Sequence, residues 1–595
     1  MEAPRRDRIL VAAIDFGTTF SGYAFSFRED YENDPRKIQV NPTWIGGTAA
    51  LVSEKTASCI LLDQDKKFVA FGYQAEETYS QLVEESEDDD VDDRTFERYY
   101  CFRRFKMSLY NCNGGLTRKT MIEDESGKKL PALLVISLCI GYLKGQLLAL
   151  VRKRTIGMEE NDIHWVITIP AIWDDSAKQF MREAAVDAGI KSDQLSFALE
   201  PEAASLYCRL VNVVVEANDE STDAGVKKKE FRSSKSGERF MVLDIGGGTA
   251  DISVHERQMD ERLKEIHEPS GGPWGGTAVD RELFKFLTRI FGEKSIESFK
   301  RKYMADYVEL CRNFEIKKRT ITEETTGKVI LKLPPSFKES VDSNSNISFD
   351  VALSNSEFSE KVKWYSGKLK IDADVVKGFF EVPIQKIVSH VEKLLKKVGK
   401  IEMIMMVGGF SDCQLLDKAI RDNFPDISIL NPNDSVLAVL KGAVIFGHKP
   451  RAIVSRVARY TYGYEAWPKF DPKIHSQVHK VRLGGVDCCT GVFQPYIRIG
   501  TELSCDDHIT STHCPVSDEQ EDMAINIYIS EKKEPKYITD PDVRHLGTLR
   551  LPLPAFKPGL RRKVQGCLYF GATEVTIEAK DLETGNIHKV VFDCL

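Results

Sequence analysis

Over roughly the first 450 residues, apolar runs of strand length alternate with stretches whose apolar positions recur at helical spacing, which predicts α/β architecture. From Arg451 onward the helical period fades and alternating runs take over: Tyr496-Ile-Arg-Ile-Gly, Ala524-Ile-Asn-Ile-Tyr-Ile, Thr548-Leu-Arg-Leu, Glu574-Val-Thr-Ile-Glu-Ala and His588-Lys-Val-Val-Phe. Turn residues such as Gly585-Asn586 separate them, and strands spaced in this way predict an antiparallel β-sandwich. The expected boundary lies between Gly447 and Tyr460, giving units of 1–450 and 451–595. Three polar stretches read as loops or insertions, at 84–93, 216–239 and 334–349. The most apolar stretch, 131–151, is broken by Lys144 and reads as a buried or amphipathic helix rather than a membrane span.

An internal repeat is the strongest feature of the pattern. Val11-Ala-Ala-Ile-Asp15-Phe-Gly17-Thr18-Thr19-Phe-Ser21 is an apolar strand ending in Asp, a Gly/Thr turn and the start of a second strand. Met241-Val-Leu-Asp244-Ile-Gly246-Gly247-Gly248-Thr249-Ala-Asp251 repeats it 229 residues later, so a second lobe is expected to begin near residue 240. Glycine lets the backbone approach a phosphate closely, and the N–H groups of such a turn form an anion-binding concavity. A carboxylate does not bind phosphate directly; it belongs beside a divalent cation, through the metal or its waters. Two matching hairpins therefore predict two lobes gripping one polyphosphate and its metal. A third strand, Met403 to Val407, enters Gly408-Gly409 and then a helix from about Gln414, whose N-terminus is expected to face the phosphates or nucleoside. No G-x-x-x-x-G-K-[ST] or G-x-G-x-x-G motif occurs.

Composition narrows the picture further. The 595 residues are 42% hydrophobic and 29% charged, enough to bury several cores and unlike a disordered chain. With 82 basic and 90 acidic residues the net charge is −8, without the positive field of a nucleic-acid binder. The 13 cysteines are odd in number and form no C-x-x-C pair, which favours reduced thiols in the cytoplasm, with the nucleus as a further compartment. The apolar run near the N-terminus is too short for a signal peptide. Cys505, His508, His513 and Cys514, with Cys488-Cys489 upstream, have metal-ligand residue types at a spacing that matches no standard zinc pattern, and read as thiols with surface histidines. Trp173 and Trp274 flank motif segments and read as core or cleft-wall aromatics.

On these motifs the chain resembles the actin-like ATPase superfamily and, within it, the seventy-kilodalton heat-shock protein (chaperone) family. Asp15-Phe-Gly-Thr-Thr and Asp244-Ile-Gly-Gly-Gly-Thr-Ala-Asp251 are similar to its two phosphate motifs. Ile167-Thr-Ile-Pro170 with Leu199-Glu200-Pro201 resembles its connecting segment, Val407-Gly-Gly409 its adenosine motif, and Glu315-Ile-Lys-Lys318-Arg319 its E-x-x-K-R helix. The resemblance implies a duplicated actin-like, ribonuclease-H-like ATPase domain followed by a β-sandwich. It implies that Asp15 and Asp244 hold Mg²⁺ mainly through water, and that Gly17, Thr18, Thr19, Gly246, Gly247, Gly248 and Thr249 line the phosphates. Glu200 and Asp251 would orient the attacking water, and Lys106 would reach the γ-phosphate. Glu315, Lys318 and Arg319, with Gly408 and Gly409, would bracket the adenosine. Gly275, Gly276 and Asp280 resemble the family's G-G-x-x-x-D motif at the cleft.

Several features depart from ordinary members. Phe410-Ser411-Asp412 stands where the family has Ser-x-Arg, Lys178 replaces an arginine, and His448-Lys-Pro-Arg-Ala-Ile-Val-Ser-Arg replaces the leucine-rich linker. Neither the helical lid nor the acidic tail of ordinary members is expected after the last β-run. This combination is most similar to the atypical subfamily twelve. The leading expectation is an ATP/ADP-binding chaperone-like protein, a slow Mg²⁺-dependent ATP hydrolase acting on a polypeptide client or a specific protein partner, with co-chaperones. The alternatives are a nucleotide-sensing adaptor with negligible hydrolysis and a small-molecule kinase of the same superfamily. With neither linker nor lid, peptide bound by 451–595 is expected to leave quickly and to couple weakly to nucleotide.

Overall fold

The computed structural model describes residues 8–46, 51–88, 95–110, 115–210, 214–217, 227–230, 236–483, 485–505, 507–513, 522–552, 563–582, 585, 587–590 and 592–595. Two large mixed sheets organise the first three-quarters of the chain. In the first, strands run in the order Leu195–Leu199, Ile163–Ile169, Leu10–Phe16, Phe20–Phe27, Gln39–Val40, with Thr56–Ala57 also pairing Phe20–Phe27. In the second the order is Ser428–Leu430, Met403–Val407, Arg239–Ile245, Ala250–Arg257, Leu263–Gly272, Ile453–Val457, Glu502–Ser504. The repeat hairpins occupy corresponding places. Each pairs antiparallel with its own return strand, Asp15 opposite Gly22 and Asp244 opposite Asp251. Each lies parallel to a strand from much later in the chain, Ile14 beside Ile167 and Asp244 beside Val407. Strands Leu10–Phe16 and Arg239–Ile245 are buried almost throughout, the expected pattern for central strands covered on both faces.

Helix Ala132–Arg152 covers the first sheet. It is long and apolar enough to cross a membrane, but Val135, Cys139, Leu143 and Leu147 are buried in this sheet's core. Lys144, the charge that breaks its apolar run, donates to Gly189 O at 2.8 Å and pairs with Glu160 at 2.9 Å. The second sheet packs against helices Thr277–Phe291 and Ala373–Val398. Helices Glu200–Cys208 and Ala438–His448 share a third core with residues of both sheets, including Val11, Ala203, Val242 and Val444.

Beyond residue 450 the regular structure among the described residues is strand, apart from two short 3₁₀ turns. Ile453–Val457 and Glu502–Ser504 complete the second sheet, so that sheet runs across the expected boundary. A five-stranded antiparallel sheet follows, with Thr461–Ala466, Asp522–Ser530 and Val543–Pro552 at its centre, and a four-stranded sheet contains Val564–Tyr569 and Thr576–Asp581. Ile525, Ile527 and Leu549 from the first of these share a core with Val564 and Leu568 from the second.

All three expected loops contain some regular structure among the described residues. Residues 334–349 hold helix Pro335–Asn344 and the start of Phe349–Asn355. Their Ser and Asn content suggests a loop, yet Phe337 and Val341, one helical turn apart, are both buried, and tertiary burial overrides weak propensity. Helix Tyr73–Asp88 runs into the acidic block at 84–93 because Ala75, Tyr79 and Val83 form one buried stripe and Glu is a good helix former. Residues 89–93 lie outside the described residues. Within 216–239, Lys227–Glu230 pairs antiparallel with Val214–Ala217; 218–226 and 231–235 lie outside the described residues.

Candidate functional site

Both repeat strands carry their Asp near the corresponding end of their two sheets, and their Gly/Thr turns are brought together. A Cβ built on Gly247 would lie 1.9 Å from Thr19 Oγ1, so the turns meet where no side chain fits. The 246–248 turn is braced from below: the N–H groups of Gly275, Gly276 and Thr277 donate to the carbonyls of Gly248, Gly246 and Gly247 at 3.3, 3.0 and 2.8 Å. Gly408, at φ +89°, carries the third strand end to within reach of Asp244; a Cβ there would sit 2.6 Å from Asp244 Oδ1. Between these elements lies a cleft of about 390 Å³.

The cleft wall brings together Asp15, Gly17, Thr18, Thr19, Lys106, Glu200, Asp244, Gly246, Gly247, Gly248, Thr249, Gly276, Glu315, Lys318, Arg319, Gly408 and Gly409. Three expected residues are not in that wall. Gly275 supports the 246–248 turn, Asp280 stands behind the wall in ion pairs with Lys318 and Arg104, and Asp251, fully buried, accepts the Ile172 N–H on Oδ1 at 3.1 Å.

The acidic end of the cleft is a buried charge cluster. Lys55 Nζ donates to Asp15 Oδ2 at 2.5 Å and Thr168 Oγ1 to Asp15 Oδ1 at 2.7 Å. Burial pushes the Asp15 carboxyl up, and Lys55, with Lys106 and the Thr168 hydroxyl, more than offsets this, holding it below the usual range. Lys106, on the turn Phe105–Leu109, donates to Glu200 Oε1 at 3.1 Å and lies 5.1 Å from the Trp173 ring centre. Burial raises Glu200 to about 7 despite Lys106, with Asp251 and Asp15 adding to the rise. Asp244 is pushed well above its ordinary value by burial and by Glu200, Asp251 and Asp15 around it. Asp251 is raised by its burial, and its Oδ2 has no hydrogen-bond partner.

These residues fit a polyphosphate with its cation. The glycine-lined cradle and the unpartnered Thr19 hydroxyl suit an anion, while the mutually repelling carboxylates, with Asp251 Oδ2 unsatisfied behind them, call for an added positive charge. Among the described residues no three His, Cys, Asp or Glu side chains are arranged to hold a metal directly, so the donor set suits a cation held through its water shell. The same holds of the Cys/His segment at 505–514: Cys505 Sγ instead faces the carbonyls of Ile453 and Gly571, and Cys514 lies outside the described residues.

The opposite end of the cleft is aromatic and basic. Phe380 and Phe410 lie nearly parallel with centres 6.5 Å apart, and the Arg319 guanidinium stands 5.6 Å over the Phe20 ring. Glu315 holds both Lys318 (2.5 Å) and Arg319 (3.0 Å). Lys318 also pairs with Asp280 Oδ1 at 2.9 Å, and Arg104 reaches Asp280 Oδ2 at 2.8 Å, tying the turn before Phe105 to helix Thr277–Phe291. Asp412 accepts the Ser435 hydroxyl at 2.7 Å. Lys55 and Phe380 are cleft residues that sequence reasoning missed. Phe380 belongs to an apolar helical stripe indistinguishable from core, and Lys55 is a lone lysine in a polar stretch with no spacing signal.

The back of this site touches the C-terminal strands. Helix Glu200–Cys208 begins at cleft residue Glu200, and its Glu202 forms a buried two-bond ion pair with Arg456, 2.8 Å on each side. Arg456 also donates to Gly571 O at 2.6 Å. Arg459 donates to Ile172 O, the residue whose N–H serves Asp251. Arg182 pairs with Glu574, and Arg118 with Asp593 at 2.9 Å.

The architecture is an α/β protein with a duplicated strand order and a Gly/Thr-lined, carboxylate-rich cleft between its halves. The family model described as Hsp70 protein matches residues 94–452, and the chain belongs to the Hsp70 family. It is 35% identical over 635 residues to "Heat shock 70 kDa protein 12A" of Mus musculus, covering 99% of this chain and 92% of that protein. It is 33% identical over 639 residues to "Heat shock 70 kDa protein 12B" of Homo sapiens, covering 98% and 91%. A more distant relative, "Chaperone protein DnaK" of Prochlorococcus marinus, is 26% identical over 320 residues, 51% of this chain and 42% of that protein.

Proposed function

We propose that the chain is an ATP/ADP-binding chaperone-like protein that hydrolyses ATP slowly and uses its nucleotide state to bias capture of a polypeptide or protein partner. One observation carries this reading: the two Asp–Gly–Thr turns converge, with Lys106 and Glu200, on a single cleft. Residues 1–450, with strands Ile453–Val457 and Glu502–Ser504 added to the second sheet, form two actin-like lobes around the nucleotide, and the remaining C-terminal strands form a β-sandwich for the polypeptide. The turns at 17–19 and 246–249 donate N–H and hydroxyl groups to the phosphates. Asp244, and Asp15 where its contact with Lys55 is displaced, would hold the water shell of Mg²⁺, which would neutralise charge on the phosphate oxygens. Lys106 lies against the γ-phosphate, and Glu200, raised to about 7, orients water and accepts its proton. Asp251 acts one layer back, fixing the Ile172 backbone. Phe410, Phe380 and Arg319 frame the base. The protein works in the cytoplasm, with the nucleus as a further compartment and co-chaperones as partners.

A second reading, a nucleotide-sensing adaptor with negligible hydrolysis, is favoured by the ties on Glu200 and Asp251: one carboxylate is held by Lys106 and the other by the Ile172 N–H. ATP binding and single-turnover hydrolysis by the purified chain, with and without unfolded polypeptide, separate the two. Glu200→Ala and Lys106→Ala should slow turnover while ADP affinity changes little. A parent rate at the uncatalysed level selects the adaptor, and failure to bind adenine nucleotide refutes both.

A further inference from the structure

Lys55 has no part in the motifs that identify the cleft, yet it is among its most constrained side chains. Its backbone is fixed on both sides: Asn41 Nδ2 donates to Glu54 O at 2.7 Å, and Thr56 pairs with Ser21 in strand register. Asn41 is itself held by the Tyr23 N–H at 3.0 Å. Opposite Asp15 in the first hairpin stands Gly22, and a Cβ there would lie 3.2 Å from Lys55 Cγ, so the missing side chain opens the slot that the lysine stem fills. The ammonium ends on Asp15 Oδ2 with the Lys55 side chain only 11% exposed. With Thr168 on the other oxygen, both oxygens of Asp15 are engaged. Lys106 faces Glu200 in the same way, leaving Asp244 at the acidic end of the cleft, and Asp251 behind its wall, without an ion-paired lysine.

We propose that Lys55 is a built-in cation of the polyphosphate subsite, occupying the carboxylate otherwise available to the metal's water shell and making nucleotide binding only weakly dependent on divalent cation. The inference rests on the nucleotide reading of the cleft. An ammonium is a compact charge with three donors, so one N–H stays on Asp15 while others face a phosphate oxygen. A hydrated divalent ion reaching Asp15 must first displace this contact, whereas a phosphate entering between the two turns meets a positive group already in place. Mg²⁺ remains available to the chemical step from the Asp244 side; what Lys55 removes is its necessity for holding the diphosphate.

The experiment is equilibrium binding of a fluorescent ADP to the full chain, in Mg²⁺ and in chelator, for the parent, Lys55→Arg and Lys55→Met. The parent and Lys55→Arg should lose less than about tenfold in affinity when Mg²⁺ is removed, and Lys55→Met should lose more than about tenfold (1.4 kcal/mol). A parent that binds in Mg²⁺ but loses more than about tenfold in chelator overturns the inference and leaves the nucleotide reading intact. So does a folded Lys55→Met variant with the parent's Mg²⁺ response. Absence of binding in both media overturns the nucleotide reading and the inference with it. The parent measurement decides by itself should Lys55→Met fail to fold. Thermal melting with Mg²⁺ alone adds a second readout: Lys55→Met, with Asp15 vacated, should gain a Mg²⁺-dependent rise in Tm that the parent lacks.

Discussion

Replacing Arg456 by Met should detach the C-terminal strands from the body of the protein. Arg456 is 8% exposed and Glu202 1%, and both oxygens of Glu202 accept from the guanidinium at 2.8 Å. Removing the cation alone leaves a carboxylate buried without compensation, a change that costs about 3–5 kcal/mol. Loss of the bond to Gly571 O adds about 1 kcal/mol. Against a typical total of about 5–15 kcal/mol this is a large fraction. Removing both charges is different, because a buried ion pair exchanged for neutral groups of similar size is often nearly neutral. Arg456→Met should therefore lower the urea midpoint strongly and expose the 448–459 connection to protease, and Arg456→Met with Glu202→Gln should recover most of the loss. A single variant within about 1 kcal/mol of the parent, or a double variant no better than the single, refutes the reasoning.

Two further outcomes follow from the same geometry. Glu265, buried beside Glu202 and accepting the Val457 N–H at 2.8 Å, has its carboxyl raised by burial from 4.5 to about 8. Below pH 4.5 it is protonated folded or unfolded; between 4.5 and about 8 only the folded chain keeps the proton, so stability falls as pH rises through that window. Glu265→Gln should flatten this slope, matching the parent at low pH and exceeding it by on the order of 4 kcal/mol at pH 8, read as Tm against pH; parallel curves would defeat the assignment. Gly408→Ala places a Cβ 2.6 Å from Asp244 Oδ1 at a φ of +89°, and should cost about 2–4 kcal/mol and at least tenfold in ADP affinity. Gly157→Ala, at φ +79° with nothing within 4 Å, should cost only about 1–2 kcal/mol and leave ADP binding unchanged; equal behaviour of the two would mean that the approach to Asp244 is irrelevant.

The cleft was legible in the sequence because a phosphate grip needs local, repeated chemistry. A strand ending in Asp followed by a Gly/Thr turn occurs twice, and the equivalent strand orders of the two sheets bring the copies face to face. The alternating runs beyond residue 451 were legible for a similar reason: period two survives wherever one face of a sheet is buried. Segments 334–349 and 84–88 were misread because composition and spacing disagree there. Ser, Asn and acidic residues suggest solvent, while Phe337 and Val341, or Tyr79 and Val83, lie one turn apart on a buried face. Lys55 carries no local signal at all, since its function depends on the vacancy at Gly22 and on Asp15 forty residues away.

The connection between the two parts of the chain shows most clearly what a motif search leaves out. Residues 448–459 lack the family's leucine-rich linker, and from sequence that absence removes the only recognisable route from nucleotide to polypeptide. In the fold the same segment supplies Arg456 to Glu202, two residues from Glu200 of the cleft, and Arg459 to the carbonyl of Ile172, whose N–H holds Asp251. Both carboxylates expected to position water therefore sit one peptide or one helical turn from a contact with the C-terminal strands. Coupling requires contacts that differ between two states, and these are contacts able to differ: a shift of helix Glu200–Cys208 or of Ile172 on nucleotide binding would strain buried, directional bonds rather than solvent-exposed ones. Physical continuity is not yet coupling. It does set the comparison to be made: peptide affinity in ADP and in ATP for the parent, and again for Ile172-adjacent Arg459→Met, which removes the guanidinium and keeps the stem. A parent that shifts more than about tenfold and a variant that does not would assign the route to Arg459, whereas equal affinities in the parent would leave the two parts joined structurally and independent in function.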